Sequence, residues 1–321
     1  MKVWAAAMAV VAMAVAGWTA SAAAAERKTL VIASGEVTGY YFPVAGALCR
    51  ILNRDKPDGI TCAVMPTSGS AANVAALRSG EADLAIVQSR AALEALQGGE
   101  GFAKAGPFAD LRALMSLHAE STVVMTRPDT GIGRLADIKG KRVNLGVPGS
   151  FQRAMADSVL DDSGLSEADM APVVEYDTAD AARELCAGDV DVAFFSGVHP
   201  MAEVANAIDQ CGAVAVPYPV REAGLKRLPW LSPAVIKADT YDGLKADLPV
   251  LGVRAVLVGT TRLSADEVHD IMKVVEADFR ILRRLHPVLK GLSKAGSTRE
   301  GIAIPLHDGA RKLYTEAGLL K

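Results

Sequence analysis

The sequence predicts an α/β fold of two lobes, each a mostly parallel sheet flanked by helices, with a ligand cleft between the lobes. Three observations support this fold class: the length of the chain, a strand–turn–helix unit that occurs twice, and a glycine–aspartate–strand pattern that also occurs twice. The chain has 321 residues, close to the size at which one hydrophobic core divides into two. Ligands of such sheets bind beyond the carboxyl ends of the strands, so two facing lobes enclose a cleft there.

The strand–turn–helix unit is found near the start of the chain and again near its middle. Thr29–Ala33 is a short apolar run, followed by a glycine turn and by an amphipathic stretch over Tyr40–Asn53. Arg142–Val147 is a second such run, and a helical stretch over Phe151–Asp161 follows it. In both places a short apolar run is followed by a stretch whose apolar residues recur about every 3.6 positions. This pattern predicts a strand and then a helix.

The second repeated pattern joins the end of a helix to a buried strand. Leu77–Val87 and Leu185–Phe195 have the same spacing of a leucine, a glycine, an aspartate and four apolar residues. Gly80 and Gly188 are predicted to end the helices in the left-handed conformation. The four apolar residues after each aspartate are typical of a strand covered on both faces.

These repeats divide the mature chain into two predicted lobes. The first lobe comprises residues 26–123 together with the tail, 256–321, and the second comprises residues 124–255. The extended segment Ser121–Thr126 is predicted to cross from the first lobe to the second, and Gly252–Gly259 is predicted to cross back.

The first 25 residues have the pattern of a cleavable export signal. Lys2 is followed by an apolar run through Trp18 and by the small residues Ala23–Ala25. Such a leader directs a protein to the periplasm and is then removed. An uncleaved anchor is the alternative, because the apolar run is close to the ~20 residues that span a bilayer.

The charges of the chain disfavour nucleic acid and an anionic membrane as partners. There are 34 Lys and Arg residues against 37 Asp and Glu residues, a formal net charge of -3. Both signs are spread along the sequence instead of forming blocks. The expected partner is therefore a small molecule.

All four cysteines follow the leader, where an oxidising compartment and an even number favour disulfides. Proximity in sequence predicts the pairs Cys49–Cys62 and Cys186–Cys211, with free buried thiols as the alternative. Zinc is disfavoured, because there is no Cys-x-x-Cys, and the His118-x-Glu120 pair therefore lacks the downstream Pro-Cys-x-x-Cys of a zinc deaminase. Neither a metal nor a cofactor is predicted.

Three turns meet the requirements for holding an anion. Residues 35–41, 67–73 and 148–153 each follow a predicted strand and open a predicted helix, where free N–H groups and the helix dipole attract negative charge. Arg153 offers a two-pronged grip on a carboxylate. Ordinary helix capping explains any single turn, whereas three turns in equivalent places favour a binding site.

Polar residues also follow the two repeated strands, at the ends that face the predicted cleft. Gln88 follows the first strand, Ser196 follows the second, and His199 lies just beyond. The aromatic residues Tyr40–Phe42 either wall the pocket or pack in the core. Glu36 is unfavourable for a purely anionic ligand, so it either faces solvent or receives an ammonium group.

The common enzyme motifs are not fulfilled. Gly131–Ala136 formally fits a dinucleotide fingerprint, but Gly140 stops the next helix within a turn or two, which favours a surface turn. The sequence contains no Gly-x-Ser-x-Gly, no P-loop and no His-Glu-x-x-His. The protein is therefore predicted not to be an enzyme.

Several motifs together resemble a known family. The chain resembles TAXI-type solute receptors of tripartite ATP-independent periplasmic (TRAP) transporters over nearly all of its mature length, including all four cysteine positions. The motifs that carry the resemblance are Gly35–Pro43, Thr67–Ser70 with Asn73, Ser79–Asp83 leading to Val87–Ser89, Asp137–Gly146 running into Pro148–Ser150, Gly197–Pro200 and Leu306–His307.

The resemblance implies a type II periplasmic-binding-protein-like fold that closes over a small carboxylate such as glutamate or 2-oxoglutarate. It also implies docking on a small and a large membrane subunit, possibly fused, that are driven by a sodium gradient. The chain departs from the family at Glu36, where a small residue is typical, and at Phe151, where glycine is usual. The turns, the strand ends and the resemblance together give this predicted ligand-binding set: Ser34, Glu36, Thr38, Tyr40, Tyr41, Ser68, Gly69, Ser70, Asn73, Gln88, Ser150, Phe151, Gln152, Arg153, Ser196 and His199.

Other functions remain open from the sequence. Lobes of this plan also serve ATP-driven (ABC) importers of sulfonate, nitrate or an amine-containing solute. A sensory or adhesion protein could use the cleft only for signalling, and the fold could host a deaminase or dehydratase.

Overall fold

The computed structural model describes residues 29–320, so the predicted export signal lies outside the described residues. Within them, no helix is both long and apolar enough to cross a bilayer. The strands and helices in chain order are β1 Thr29–Ala33, α1 Tyr41–Asp55, β2 Thr61–Met65, α2 Ser70–Ser79, β3 Leu84–Gln88, α3 Ser89–Gln97, β4 Leu111–Thr126, β5 Val143–Asn144, α4 Phe151–Ser163, α5 Thr178–Ala187, β6 Val192–Gly197, α6 Ala202–Cys211, β7 Val214–Ala215, α7 Glu222–Arg227, β8 Leu231–Ile236, β9 Leu248–Thr260, α8 Ala265–Ala277, α9 Phe279–Leu285, α10 Lys294–Ser297 and α11 Asp308–Glu316.

The strands form a nine-stranded mixed sheet in the order β2-β1-β3-β9-β4-β6-β5, with β7 on β4 and β8 on β9. The pairs β1–β2, β1–β3 and β5–β6 are parallel, as expected for strands connected through helices. The pairs that involve β4 or β9 are antiparallel. The two-lobed α/β architecture is confirmed, and the antiparallel component comes from the two long strands that join the lobes.

Two hydrophobic clusters define the lobes. The first cluster is built on β1 to β3 and the helical tail, and the second is built on β5, β6 and the helices α4 to α6. Strand β4 contributes Leu117 to the first cluster and Val123 to the second, while β9 contributes Val253 to the second and Ala255 to the first. Both predicted crossing segments therefore lie in strands that run through both lobes. The lobe boundaries of the sequence analysis stay a prediction.

The repeated pattern has the same structure in each lobe. Gly80 ends α2 at φ 84° and Gly188 ends α5 at φ 88°, the left-handed conformation that glycine adopts without a Cβ clash. The strands that follow, β3 and β6, are almost entirely buried. Burial on both faces explains their continuous apolar sequence.

The aspartate of each repeat fastens one strand to its neighbour. Asp83 accepts a hydrogen bond from the backbone N–H of Val31 at 2.8 Å, and Asp191 accepts one from that of Arg142 at 3.0 Å. The Arg142 guanidinium also pairs with Asp191 at 2.5 Å. These aspartates are therefore structural in both lobes.

Both predicted disulfides are confirmed. Cys49–Cys62 joins α1 to β2 in the first lobe, and Cys186–Cys211 joins α5 to α6 in the second. Each bond links neighbouring elements of one lobe, so neither bond restrains the movement of one lobe against the other.

The predicted strand Arg142–Val147 is shorter in the structure. Strand β5 ends at Asn144, whose side-chain oxygen accepts from the N–H of Gly146 at 3.1 Å. Gly146 has φ 92° and turns the chain towards α4. The side chain of Asn144 thus replaces ladder hydrogen bonds with a turn.

Candidate functional site

A cavity of about 680 Å³ lies between the lobes, and we call it the front cleft. From the first lobe it is lined by the turns before α1 and α2, the end of β3 and one residue of β4. From the second lobe it is lined by the start of α4, the end of β6 and the start of α6. The lining residues are Gly35, Glu36, Gly39, Tyr40, Tyr41, Gly69, Ser70, Gln88, Glu120, Phe151, Ser196, Gly197, Val198, Pro200, Met201, Ala202 and Glu203.

Four helices begin at the front cleft. Tyr41, Ser70, Phe151 and Ala202 are the first residues of α1, α2, α4 and α6, and all four line the cavity. The first N–H groups of a helix have no partner within the helix, and the helix dipole places partial positive charge there. The front cleft therefore offers main-chain donors from both lobes to one ligand.

Glu120 of β4 is the buried acid of the front cleft. It is 8% exposed, and its carboxylate accepts from Tyr41 Oη at 2.6 Å and from Gln88 Nε2 at 2.6 Å. Burial raises the pKa of Glu120, and the two hydrogen bonds oppose part of that rise. The sequence analysis did not place Glu120 in the site. The signal for it in the sequence was that Glu120 is the single acidic residue of β4, a strand that is buried over most of its length.

The charge of the front cleft is acidic. Glu36, Glu120 and Glu203 line it, and no Lys or Arg of residues 29–320 does. Within the same residues no group of three or more His, Cys, Asp or Glu side chains is placed to hold a metal ion. A carboxylate bound here would therefore be held by main-chain N–H groups and hydroxyls.

Half of the predicted ligand-binding set meets in the front cleft. Ser70 Oγ accepts from the backbone N–H of Gln88 at 3.1 Å, and Ser196 Oγ shares a hydrogen bond with Thr122 Oγ1 at 2.8 Å. These polar groups are thus held by the protein before any ligand arrives. The predicted residues that line the front cleft are Glu36, Tyr40, Tyr41, Gly69, Ser70, Gln88, Phe151 and Ser196.

Ser34 and Asn73 have structural partners instead of a place in the front cleft. Asn73 is fully buried, and its Nδ2 donates to the carbonyls of Ser34 and, at 2.6 Å, of Ile86. Its Oδ1 accepts from Thr67 Oγ1 at 2.5 Å. Ser34 is fully buried too, and its hydroxyl donates to the carbonyl of Met65 at 3.1 Å. Both side chains fix the turns whose other residues line the cavity.

Three further predicted residues also lie away from the front cleft. Thr38 and Ser68 are exposed and outside its lining. Gln152 is 4% exposed, and its Oε1 accepts from Thr178 Oγ1 at 2.5 Å. Gln152 therefore links α4 to α5 inside the second lobe.

In this arrangement Arg153 does not line the front cleft, where its guanidinium was predicted to bind a ligand carboxylate through two hydrogen bonds. Its guanidinium pairs with Asp157 at 3.0 Å, with Glu175 at 3.3 Å and with Glu167. With Ser150 it lines a neighbouring cavity of about 930 Å³. Three carboxylates of the protein thus pair with the guanidinium, and a ligand carboxylate would have to displace them to bind Arg153. Ser150 itself caps α4 by accepting from the N–H of Arg153 at 3.1 Å.

His199 also has protein partners at both ring nitrogens. Nε2 lies 3.1 Å from the carbonyl of Ser121, which only accepts, so Nε2 carries the proton and donates. Nδ1 then accepts from Tyr241 Oη at 2.6 Å, and that oxygen accepts from the N–H of Met201 at 2.6 Å. Burial lowers the pKa of His199 to about 4. Neutral His199 therefore positions the start of α6.

The fold is that of periplasmic solute-binding proteins. A TctC solute-binding protein from Polaromonas superposes with a TM-score of 0.55 at 17% identity, covering 82% of this chain and 88% of its own. A putative periplasmic sulfonate-binding protein of an ABC transporter from Methylobacillus flagellatus gives a TM-score of 0.52 at 14% identity, covering 91% and 85%. The chain belongs to the NMT1-like family, whose model matches residues 32–318.

Proposed function

We propose that the protein is a periplasmic receptor that captures a small carboxylate in the front cleft and delivers it to the membrane subunits of a TRAP-type transporter. The observation that carries this proposal is the convergence of four helix starts, two from each lobe, on one cavity. Such ends bind anions without a cationic side chain. The family and the fold support a receptor role.

The acids of the front cleft narrow the class of carboxylate. Glu120 is buried next to the helix starts, so a second negative group at this place would be repelled. An ammonium or hydroxyl group would instead donate to it. We therefore favour an amino acid such as glutamate over 2-oxoglutarate, whose oxo group has no proton to donate. Glu36 and Glu203, which also line the front cleft, favour the same ammonium or hydroxyl group.

Capture proceeds by closure of the lobes. A ligand that contacts Ser70 of the first lobe and Ala202 of the second stabilises the closed state by its differential contacts. Strands β4 and β9 pair with each other, and each contributes buried residues to the hydrophobic clusters of both lobes. We place the hinge in these two strands.

A thermal-shift screen of refolded mature protein tests the ligand class. The panel contains amino acids, 2-oxo acids, dicarboxylates and alkanesulfonates. A ligand at one hundred times its Kd adds about 2.7 kcal/mol, which raises Tm by several degrees. Stabilisation by an amino acid supports the proposal, and a response to none of the carboxylates contradicts it.

A second candidate is a receptor of an ABC importer for an amine-containing solute. The three acids of the front cleft favour it, because they suit an ammonium group without requiring a carboxylate. Stabilisation by simple amines in the same screen would identify this function. Uptake by membrane subunits in proteoliposomes then separates the partners, since a TRAP-type transporter needs a sodium gradient and an ABC importer needs ATP.

The assignment to the TAXI branch within this proposal rests on the sequence motifs. The structure adds that Tyr41, which belongs to the first motif, bonds the buried Glu120. It also adds that Phe151, which departs from the family, lines both the front cleft and the neighbouring cavity. An aromatic ring at this border reduces the room for a long ligand.

A further inference from the structure

One edge of β9 is covered by two different strands, one from each lobe. Strand β3 of the first lobe pairs with residues 255–258, and β8 of the second lobe pairs with residues 248–253. Arg254 lies between the two pairings. It also separates Val253 of the second hydrophobic cluster from Ala255 of the first. The lobes therefore meet on this edge at Arg254.

A buried hydrogen bond bridges this junction. Ser89, the first residue of α3, donates from Oγ to the carbonyl of Trp230 at 2.7 Å, and Trp230 directly precedes β8. Ser89 Oγ also accepts from the backbone N–H of Arg254 at 3.2 Å. Ser89 is fully buried and Trp230 is 9% exposed, so the bond forms in a low-dielectric environment that strengthens it. One hydroxyl thus connects both lobes to the residue between them.

The side chain of Trp230 adds a second contact between the lobes. The guanidinium carbon of Arg90, the next residue of α3, lies 5.5 Å from the centroid of the Trp230 ring. This distance is within the range of about 6 Å for a cation–π interaction. Trp230 belongs to the hydrophobic cluster of the second lobe, and Leu93 of α3 packs against the clusters of both lobes. The first turn of α3 therefore contacts the second lobe through several side chains.

The junction is next to the front cleft without being part of its lining. Neither Ser89 nor Trp230 lines that cavity, whereas Gln88, which precedes Ser89, does. Gln88 Nε2 donates to the carboxylate of Glu120 at 2.6 Å. A change at Ser89 can therefore alter the arrangement of the lobes while it leaves the groups that line the front cleft chemically intact.

We propose that the Ser89–Trp230 bond is a clasp that sets the angle between the lobes. With the clasp formed, the lobes keep the arrangement in which four helix starts face one cavity. Its partners belong to different lobes, so rotation of the lobes about β4 and β9 changes the distance between them. Loss of the clasp lowers the population of this arrangement and weakens capture without removing a ligand contact. Ser89 is thus a positioning residue, and its part in capture rests on the proposed function.

Trp230 makes the clasp measurable. The other tryptophans, Trp4 and Trp18, belong to the predicted export signal, so Trp230 is the single tryptophan of the mature protein. Quenching of its fluorescence by acrylamide measures how accessible the ring is. Small-angle X-ray scattering gives the radius of gyration, which rises when the lobes open. Both measurements are made on refolded mature protein without any added solute.

Ser89→Ala removes the donor of the clasp. We expect its radius of gyration to increase and its acrylamide quenching constant to rise at least about twofold, because opening about the hinge exposes the ring. Ser158→Ala is the matched control, since Ser158 is also buried and its hydroxyl donates at 2.7 Å to the carbonyl of Ala154 within α4. This control should keep the wild-type value of both quantities.

Arg90→Gln tests the clasp without changing a fully buried residue. The Arg90 side chain is 33% exposed, so this variant keeps the test intact should Ser89→Ala fail to fold. We expect its radius of gyration to increase, by less than that of Ser89→Ala. Arg78→Gln is its control, because the Arg78 guanidinium lies 4.4 Å from the Phe108 ring centroid inside the first lobe. It should leave the radius of gyration unchanged.

The proposal is overturned if folded Ser89→Ala keeps the wild-type radius of gyration and quenching constant, or if Ser158→Ala opens the lobes equally. If Ser89→Ala does not fold, a wild-type radius of gyration for Arg90→Gln overturns it. These measurements need no ligand, so their outcome is independent of the thermal-shift screen. Failure of the clasp is thereby distinguishable from failure of the proposed function.

Discussion

The front cleft and a second cavity are both lined by residues of β4 and differ in charge. The second cavity, which we call the back cavity, has a volume of about 380 Å³, and its lining includes Ala119, Ser121, Lys237 and Arg254. Among residues 29–320, Glu36, Glu120 and Glu203 line the front cleft with no Lys or Arg beside them, whereas Lys237 and Arg254 line the back cavity with no Asp or Glu. Adjacent residues of β4 thus face opposite environments. The alternation of side chains along a strand allows one segment of β4 to border two cavities of opposite charge.

The two cavities also differ in how their buried groups are bonded. In the front cleft the carboxylate of Glu120 is satisfied by Tyr41 and Gln88. His118 is 2% exposed, and neither of its ring nitrogens has a hydrogen-bond partner within residues 29–320. An unpartnered buried polar group costs about 1–3 kcal/mol of stability, a cost that Glu120 avoids and His118 does not.

The largest expected effect is the acid sensitivity that His118 confers. Burial, with the charges of Arg254 and His286, lowers the pKa of His118 from 6.5 to about 3. Between these values the unfolded chain binds a proton that the folded protein does not, so stability falls as pH falls through this window. At about 1.4 kcal/mol per pH unit, the loss is on the order of 4 kcal/mol. Urea unfolding from pH 7 to 3 should show His118→Phe spared this loss.

His269 provides the control for the acid experiment. Hydrogen bonds to Glu316 and Asp270 raise the pKa of His269. The contribution of His269 to folding stability is therefore present at low pH and is lost as pH rises. His269→Gln should therefore retain the acid sensitivity of the wild-type protein. Equal acid sensitivity of His118→Phe and wild type would show that His118 is not buried in its neutral form.

The second effect is the loss of ligand binding in the front cleft. Ala202→Trp should weaken binding of the natural solute at least about a hundredfold, equivalent to about 2.7 kcal/mol, because the indole occupies the cavity. Isothermal titration calorimetry measures the change. Ala265 is the matched control, since it is also an exposed first residue of a helix, α8, and lies outside both cavities. Equal weakening by Ala265→Trp would contradict the location of the site.

The third effect concerns the contact of β9 with β4 between the two cavities. A Cβ at Gly252 would lie 2.6 Å from the backbone oxygen of Glu120, closer than real Cβ atoms approach. Gly252→Ala should cost about 1–3 kcal/mol of stability, because the strands must separate. Denaturant unfolding measures it. Gly133→Ala, where the added Cβ meets nothing within 4 Å, should leave stability nearly unchanged.

The smallest effect is the removal of one hydrogen bond from Glu120. Tyr41→Phe leaves the carboxylate with Gln88 alone, which should cost about 1 kcal/mol and raise the pKa of Glu120 further. The raised pKa makes the stability contribution of Glu120 fall as pH rises above its unfolded value. A ¹³C NMR titration of the carboxyl group follows the pKa. Tyr40 does not make this hydrogen bond to Glu120, so Tyr40→Phe should leave the pKa of Glu120 unchanged.

Local patterns predicted much of the fold and part of the site. Gly80 and Gly188 end helices as expected, and both disulfides join the predicted cysteines. The turns were also placed correctly, but not every residue within them. Asn73 faces inward and bonds Ser34, 39 residues away in sequence. Nothing in its local spacing distinguished it from Ser70, which lines the front cleft.

The sequence by itself determined the two lobes, the helix starts and the disulfides, because these depend on periodicity, turn residues and near neighbours in the chain. The tertiary structure alone decided which charges meet. Arg153 is occupied by Glu167 and Glu175, and Glu120 meets Tyr41, 79 residues distant. Electrostatic partners are chosen by distance in space, which no local pattern encodes, so the acidic front cleft and the basic back cavity emerge only from the folded chain.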